Sequence, residues 1–316
     1  MHEHVSAGGF AGRPVPASLA REGRAMRSAL VEDLVAAGHD AMTTSEPRLS
    51  ARAIESADAV WLIAPETGGV HERVARRMEA HGAVLLGSSA AAIGRASNKG
   101  TLAQLLTRRG IPHPETRVIR RDADAAAIAK AIGYPVVVKP VRGAGCAGVS
   151  VAANARELKQ AVALARGHAG GGSLLIQRYM SGVPASVSLL MDGTRAMPLA
   201  LNRQQVRRRA GQLSYAGGGT PFDHPLAARA LDVAVRACEL FPGLRGFVGV
   251  DLVLTDVEAV VIEVNPRLTT AYLGVRAAIE ANVAAMALAA CQGQLPVAVA
   301  ARRRVQFAAS GRVVTA

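Results

Sequence analysis

Apolar residues recur at intervals of three and four over residues 18–37, the period of a helix with one buried face, and Gly38 follows where a helix-ending glycine is expected. Two short uncharged runs, 59–64 (AVWLIA) and 83–86, read as buried strands, with a helical pattern over 70–80 between them. This alternation predicts a small parallel α/β layer, with Trp61 in its core. Ser97 is placed to cap a helix over 97–109 that Gly110 ends, and Pro112 and Pro114 bar its continuation. A first domain boundary is expected at 89–97.

Beyond it the pattern changes. The spacing predicts a strand at 116–119, a helix at 122–132 capped by Asp122, a strand at 135–139, a glycine loop at 143–148, a strand at 149–151 and a helix at 154–166 capped by Asn154. A strand at 174–179 and two strands around the Asp192-Gly193 turn follow, the second ending near 201. A glycine-rich loop (216–221), a helix (225–241), a hairpin (246–265) and a last helix (273–292) complete the reading. The fold class is therefore α/β followed by α+β, without internal repeats.

Composition narrows the classes. Half of the 316 residues are apolar and 19% are charged, which excludes wholesale disorder, while aromatics at 3% leave a core of Ala, Val and Leu. No run of about 18 uncharged apolar residues exists, and residues 1–12 lack a basic stretch leading into an apolar one. A soluble, non-secreted, cytoplasmic protein without a membrane role is expected. Cys146, Cys238 and Cys291 lie far apart, in neither a disulfide nor a zinc pattern. The net charge is +13, and only Lys99, Lys130, Lys139 and Lys159 of the 37 basic residues are lysines, leaving 33 arginines. This skew fits either compositional bias or attraction of anionic substrates. Clusters such as Arg207 to Arg209 lack interleaved aromatics, so no nucleic-acid partner is expected. The lone histidines, His71 among them, read as surface or turn residues.

Gly143, Gly145 and Gly148 form G-x-G-x-x-G, but the strand after it, not a helix, excludes a dinucleotide-binding turn and suggests a flap over nucleotide phosphates. Lys139 ends the preceding strand, where its ammonium reaches the same phosphates. The alternative is a structural glycine turn beside a chance lysine. Cys146, inside the flap, reads as a small residue suited to a tight loop.

The segment GVDLVLTDVEAVVIEVNPR is sharper. A hairpin turning at Val257 pairs Asp251 with Glu263 and Val253 with Val261, putting Asp251, Glu263 and Asn265 on one face. The other face, Leu252, Leu254, Val260, Ile262 and Val264, is core. Directly opposed carboxylates repel unless a cation lies between them, and hard oxygen donors suit Mg²⁺ (or Mn²⁺) shared with substrate phosphates. Arg267 would then point at an anion. The alternative is an exposed acidic rim.

Taken in order, Lys99, Lys139 with its flap, Gln177-Arg178-Tyr179-Met180 after a strand, then Asp251 and Glu263-x-Asn265-Pro266-Arg267 resemble the motif set of the ATP-grasp superfamily over residues 89–288. The resemblance implies an ATP-grasp fold behind an N-terminal Rossmann-like domain, divided as 1–93, 94–176 (central subdomain) and 177–316 (C-terminal subdomain). It implies carboxylate–amine ligation through an acyl phosphate, with ATP and Mg²⁺. Lys99, Lys139, Gly143, Gly145 and Gly148 would hold phosphates, Gln177, Arg178, Tyr179 and Met180 would form the adenine hinge, Asp251, Glu263 and Asn265 would hold the metal, and Arg267 would face the transferring phosphoryl group. Position 177 is often Glu in the superfamily, and 182–186 carries no acidic residue where a ribose contact is common.

Within the superfamily, Val5-Ser6-Ala7-Gly8-Gly9, Ala64-Pro65-Glu66, Leu201-Asn202-Arg203-Gln204 and Asn265 to Tyr272 resemble the tyramine–glutamate ligase group of methanofuran-type cofactor synthesis. This implies substrate contacts from Asn202, Arg203 and Gln204; glutamate needs cations for its α-carboxylate, and Arg203 at the strand end and Arg267 beside the metal residues are the candidates. The partners implied are a small-molecule carboxylate and amine, with a second copy of the chain, a homodimer, left open.

Overall fold

At the amino-terminal end β1 (His2–Glu3) lies parallel to β2 (Leu62–Ile63), and Val60 bridges Leu85 in parallel, so the predicted strand at 83–86 is reduced to a single bridge. The computed structural model describes residues 1–10, 17–46, 49–120 and 124–315. Three helices, α1 (Ala17–Ala36), α2 (Ala51–Glu55) and α3 (Val70–Ala80), flank this layer. Trp61 is buried as expected. The connection continues through α4 (Ala90–Ala96) and α5 (Lys99–Arg108). Asn98, not Ser97, caps α5: its side-chain oxygen accepts from the backbone N–H groups of Gly100 and Thr101 at 3.0 and 3.1 Å.

One half of the remaining chain comprises β3 (Thr116–Ile119), α6 (Ala125–Ile132), β4 (Val136–Pro140), β5 (Ser150–Ala152), α7 (Ala155–His168) and β6 (Leu174–Arg178). The expected Asp122 cap lies outside the described residues. Asn154 caps α7 as predicted. The other half comprises β7 (Val183–Asp192), β8 (Ala196–Arg209), β9 (Gln212–Thr220), α8 (Ala227–Cys238), β10 (Arg245–Leu254), β11 (Ala259–Asn265), α9 (Ala271–Ala278), α10 (Val283–Cys291), β12 (Val305–Ala308) and β13 (Val313–Thr315). These strands form one eleven-stranded sheet in the order β11-β10-β7-β8-β9-β5-β4-β6-β3, with β12 on β9 and β13 on β12. The halves meet where β9 pairs with β5 at Ser150 and Gln212.

Two predicted elements are corrected. The glycine-rich stretch 216–221 lies in a strand, not a loop: β8 runs to Arg209 and returns as β9. Glycine is required there because backbones close in from both sides. A Cβ at Gly217, whose φ is +129°, would lie 2.1 Å from the Phe307 carbonyl oxygen, and one at Gly218 would lie 2.2 Å from that of Arg203. The single helix predicted over 273–292 is two, because Asn282 caps α10 on Ala285 N–H and also donates to the Asp33 carbonyl at 2.6 Å.

Both faces of the larger half are covered. Ala185, Val187 and Leu189 of β7 pack with Val233, Ala237 and Phe241 of the α8 region, while Leu190 and Phe247 pack on the other side with α9, α10 and Leu30 of α1. Phe247 and Tyr272 meet edge to face at 5.7 Å, a geometry worth about 0.5–1.5 kcal/mol beyond area burial. Tyr272 donates its hydroxyl to Asp33, and Arg276 Nε donates to the same carboxylate at 2.7 Å. These bonds fix α1 against the segment that follows β11. No helix among the described residues is long and apolar enough to cross a membrane.

Replacing Gly217 by Ala is expected to lower stability by about 2 kcal/mol or more, through positive-φ strain and the clash with β12. Equilibrium urea denaturation measures it, and an unchanged midpoint would contradict the packing described.

Candidate functional site

Asp251 pairs with Glu263 and Gly249 with Asn265, the register expected from the sequence. A bulge follows between Asp251 and Leu252, so Val253 pairs with Val260 instead of Val261. The extra residue changes which side chains face where. Ala259 and Val261 join Leu252, Leu254 and Val264 in the core, and Ile262, expected there, lines a cleft beside Glu263. Asp251 accepts hydrogen bonds from Gln204 Nε2 at 2.8 Å and Asn265 Nδ2 at 3.2 Å. Burial and the neighbouring Glu263 push the Asp251 carboxyl up, to about 8. Burial opposes ionisation of Glu263 too, but Lys99 and Lys139 outweigh it and hold that carboxyl well below its ordinary range.

Lys99 is the first residue of α5, held there by the Asn98 cap. Its Nζ donates to the Gly143 carbonyl at 3.0 Å and lies 3.1 Å from Glu263 Oε2, tying the flap to the acidic strand. Lys139 is 4% exposed and has no hydrogen bond or ion pair among the described residues. Burial lowers its ammonium to about 8, against the opposing pull of Glu263. The two lysines, the flap and the acidic strand enclose a cleft of about 250 Å³, which also takes in Gln177, Arg178, Tyr179 and Met180.

Within that cleft Gln177 donates to Thr116 Oγ1 at 2.8 Å and Arg178 pairs with Glu115 at 3.2 Å. Arg208 of β8 lies 6.0 Å over the Tyr179 ring and lines the same cleft. Gly145 and Gly148 adopt positive φ, and so does Cys146 at +62°. Burial pushes the Cys146 thiol up to about 12, consistent with a packing role and against a nucleophile.

A second cavity of about 100 Å³ lies on the other side of the flap, sharing Gly145, Gln204, Asp251 and Glu263 with the cleft and adding Asn265, Arg267, Tyr215, Thr270 and Glu22. Arg267 is clamped by Glu66, with Nε–Oε1 at 2.8 Å and Nη2–Oε2 at 2.9 Å. Glu22 of α1 accepts from the Thr270 hydroxyl and has no ion pair among the described residues; burial raises its carboxyl. His71, read as a surface residue, is instead 3% exposed, and burial lowers its imidazole to about 3, which keeps it neutral.

The structure brings Lys99, Lys139, Gly143, Gly145, Gln177 to Met180, Gln204, Asp251 and Glu263 around one cleft, with Asn265 and Arg267 on the adjoining cavity. Gly148 stands at the flap's base, where a Cβ would lie 2.7 Å from the His168 side chain. Asn202 is fully buried beneath the site, donating to Ser188 Oγ at 3.0 Å. Arg203 is a correction. Alternation along β8 turns it to the opposite face from Gln204, 5.8 Å over the Phe222 ring, away from the substrate position expected for it. Glu22 was missed, although it left a signal: with Asp33 it interrupts the stripe of Met26, Ala29, Leu30 and Leu34, acidic residues on an otherwise buried face.

No group of three or more His, Cys, Asp and Glu side chains able to hold a metal occurs among the described residues. The oxygens available are two carboxylates and one amide, an incomplete hard-donor set that fits Mg²⁺ only with phosphate oxygens or water as further ligands. The raised Asp251 carboxyl agrees: the paired carboxylates lack a full counter-charge.

A family described as the ATP-grasp domain matches residues 96–271, and the pre ATP-grasp 3 domain matches residues 18–93. A tyramine–L-glutamate ligase of Methanocaldococcus fervens is 38% identical over 104 residues, 33% of this chain and 34% of the relative. The chain thus aligns with about a third of that relative's length. A D-alanine–D-alanine ligase of Gloeobacter violaceus is 33% identical over 83% of this chain and 88% of its own. The crystal structure of an ATP-grasp superfamily protein from Archaeoglobus fulgidus superposes with a TM-score of 0.70 at 25% identity, covering 97% of this chain and 90% of that one.

Because the Lys139 ammonium is lost and the Asp251 carboxyl ionises as pH rises through about 8, metal-free ATP affinity is expected to fall above that value, by up to about tenfold per unit for each of the two groups. Calorimetric titration between pH 7 and 9 checks this; Lys139→Gln should bind more weakly and with a shallower slope than the wild type, and a pH-independent wild type would contradict it.

Proposed function

The chain belongs to the ATP-grasp family, and from that premise we propose an ATP-dependent ligase that joins the γ-carboxylate of L-glutamate to tyramine or a tyrosine-like amine, in methanofuran-type cofactor biosynthesis. The observation that carries the ligase reading is the paired Asp251 and Glu263 facing Lys99 and Lys139 across one cleft. The substrate reading draws on the partial likeness to tyramine–L-glutamate ligase and on Glu22. Between the second cavity and a small pocket walled by Val5, Leu19, Met26 and Ile63, Glu22 offers a carboxylate that makes no ion pair among the described residues to a substrate that carries an ammonium group.

In this reading the acid's carboxylate attacks the γ-phosphorus of ATP, ADP leaves, and the free amine displaces phosphate from the acyl phosphate. Lys99, Lys139 and the backbone of Gly143, Gly145 and Gly148 hold the phosphates. Gln177, Arg178, Tyr179 and Met180 line the adenine end. Asp251, Glu263 and Asn265 would hold Mg²⁺ or Mn²⁺, which when bound neutralises charge on the β- and γ-phosphoryl oxygens. Gln204 orients Asp251, Asn202 supports the strand below, and Arg267 faces the transferring group. The functional division remains 1–93, 94–176 and 177–316, with small-molecule partners and a cytoplasmic location.

A second reading, ligation of one small amino acid to another, is favoured by the longer match to D-alanine–D-alanine ligase. ADP release with ATP and Mg²⁺ separates the two: L-glutamate and tyramine together should exceed either alone, whereas full turnover on D-alanine alone would overturn the glutamate–tyramine reading. Asp251→Asn and Glu263→Gln are expected to fold and to lose turnover, and wild-type rates in either would sink the metal assignment. Glu22→Gln should raise KM for the ammonium-bearing substrate about tenfold or more, the scale of one charged hydrogen bond, with KM for ATP unchanged. Equal shifts in both constants would remove Glu22 from substrate recognition.

A further inference from the structure

Arg267 follows the Asn265-Pro266 strand end, and Glu66 follows β2 in the amino-terminal layer, 201 residues earlier in the chain. Glu66 is 2% exposed and the Arg267 side chain 12%, so their bidentate contact is largely shielded from water. A guanidinium carries five N–H donors. Nε and Nη2 each give one to Glu66, and Nη1 gives one to the Leu268 carbonyl at 3.0 Å. One N–H therefore remains on each terminal nitrogen, and Arg267 lines the cavity that holds Asp251, Glu263 and Asn265.

Without Glu66 the guanidinium would not stay where it is. Glu22 and Glu263 are the next carboxylates in its field. A partly buried arginine freed from its partner would turn toward one of them, covering either Glu22, the carboxylate assigned to the substrate's ammonium group, or Glu263.

We propose that Glu66 is a positioning residue: it occupies the Nε side of Arg267 so that the two terminal N–H groups stay directed at a phosphoryl or acyl-phosphate oxygen, making the amino-terminal layer part of the reaction centre. The inference rests on the reading of Arg267 as the group that faces the transferring phosphoryl. It assigns the turn after β2 a task in catalysis that is separate from substrate binding. The Glu66 turn is built for a fixed carboxylate. Gly68 and Gly69, at φ +58° and +73°, reverse the chain into α3 immediately after it.

Inorganic phosphate, titrated into the MgADP complex of the full chain, tests this without the acid or the amine. Glu66→Gln should weaken phosphate about tenfold and leave MgADP affinity within about twofold, because the cleft around Lys99 and Lys139 is untouched. Arg267→Ala should lose at least as much, and the double variant no more than Arg267→Ala alone, since both changes remove one interaction. Glu66→Asp, which keeps the charge at a shorter reach, should be intermediate and serves if the Gln variant folds poorly. Wild-type phosphate affinity in Glu66→Gln, additive losses in the double variant, or a parallel fall in MgADP affinity would overturn the proposal for Glu66 while leaving Arg267 in place. Failure of Arg267→Ala to weaken phosphate at all would overturn both. The substrate reading falls separately, if the glutamate and tyramine pair yields no ADP in the wild type.

Discussion

Two carboxylates facing each other across adjacent strands, largely shielded from water, are the constraint around which this protein is arranged. Like charges at that separation are unfavourable in a low-dielectric interior, and a fold keeps them only when cations and donors surround them. Asp251 and Glu263 are met by Lys99 from a helix start, by the field of Lys139 from a strand end, and by the amides of Gln204 and Asn265. Those four side chains come from four elements. Each element's position is therefore tied to the same few cubic ångströms beside the cleft.

The amino-terminal layer takes part through acids rather than bases. Glu66 holds Arg267, Glu22 meets Thr270, and Asp33 binds both Tyr272 and Arg276, so three carboxylates from residues 22–66 grip the eleven residues that follow β11. A buried ion pair brings little net stability once desolvation is counted. Its value here is specificity: the fork geometry of arginine against carboxylate admits few relative placements of the two segments.

Much of this was legible in the chain. The alternation of Asp251, Glu263 and Asn265 around a short turn gave their shared face and the pairing of the two acids, because period two is a strong constraint on a hairpin. The bulge at 251/252 was not legible, since one inserted residue leaves the apolar pattern of the segment unchanged while Ala259 and Val261 enter the core and Ile262 leaves it. The 216–221 stretch was misread because a triple glycine signals a loop locally, while its cause, backbone closing in from β8 and β12, lies in distant segments. Arg203 was misplaced for a related reason: Gln204 beside it faces the site, and a strand turns successive residues to opposite faces. His71 looked like a surface residue because nothing local reports the approach of residues near 267.

The last short hairpin has a consequence for solubility. β9 gives its outer side to β5 at one residue only, and β12 takes up Gly217 to Thr220 beyond it. Those glycines carry no side chains to discourage another strand, and without β12 their N–H and C=O groups would form a flat, unguarded sheet margin of the kind that recruits a neighbouring molecule. The strand that makes glycine obligatory at 217 is thus also the one that keeps this margin from nucleating aggregates.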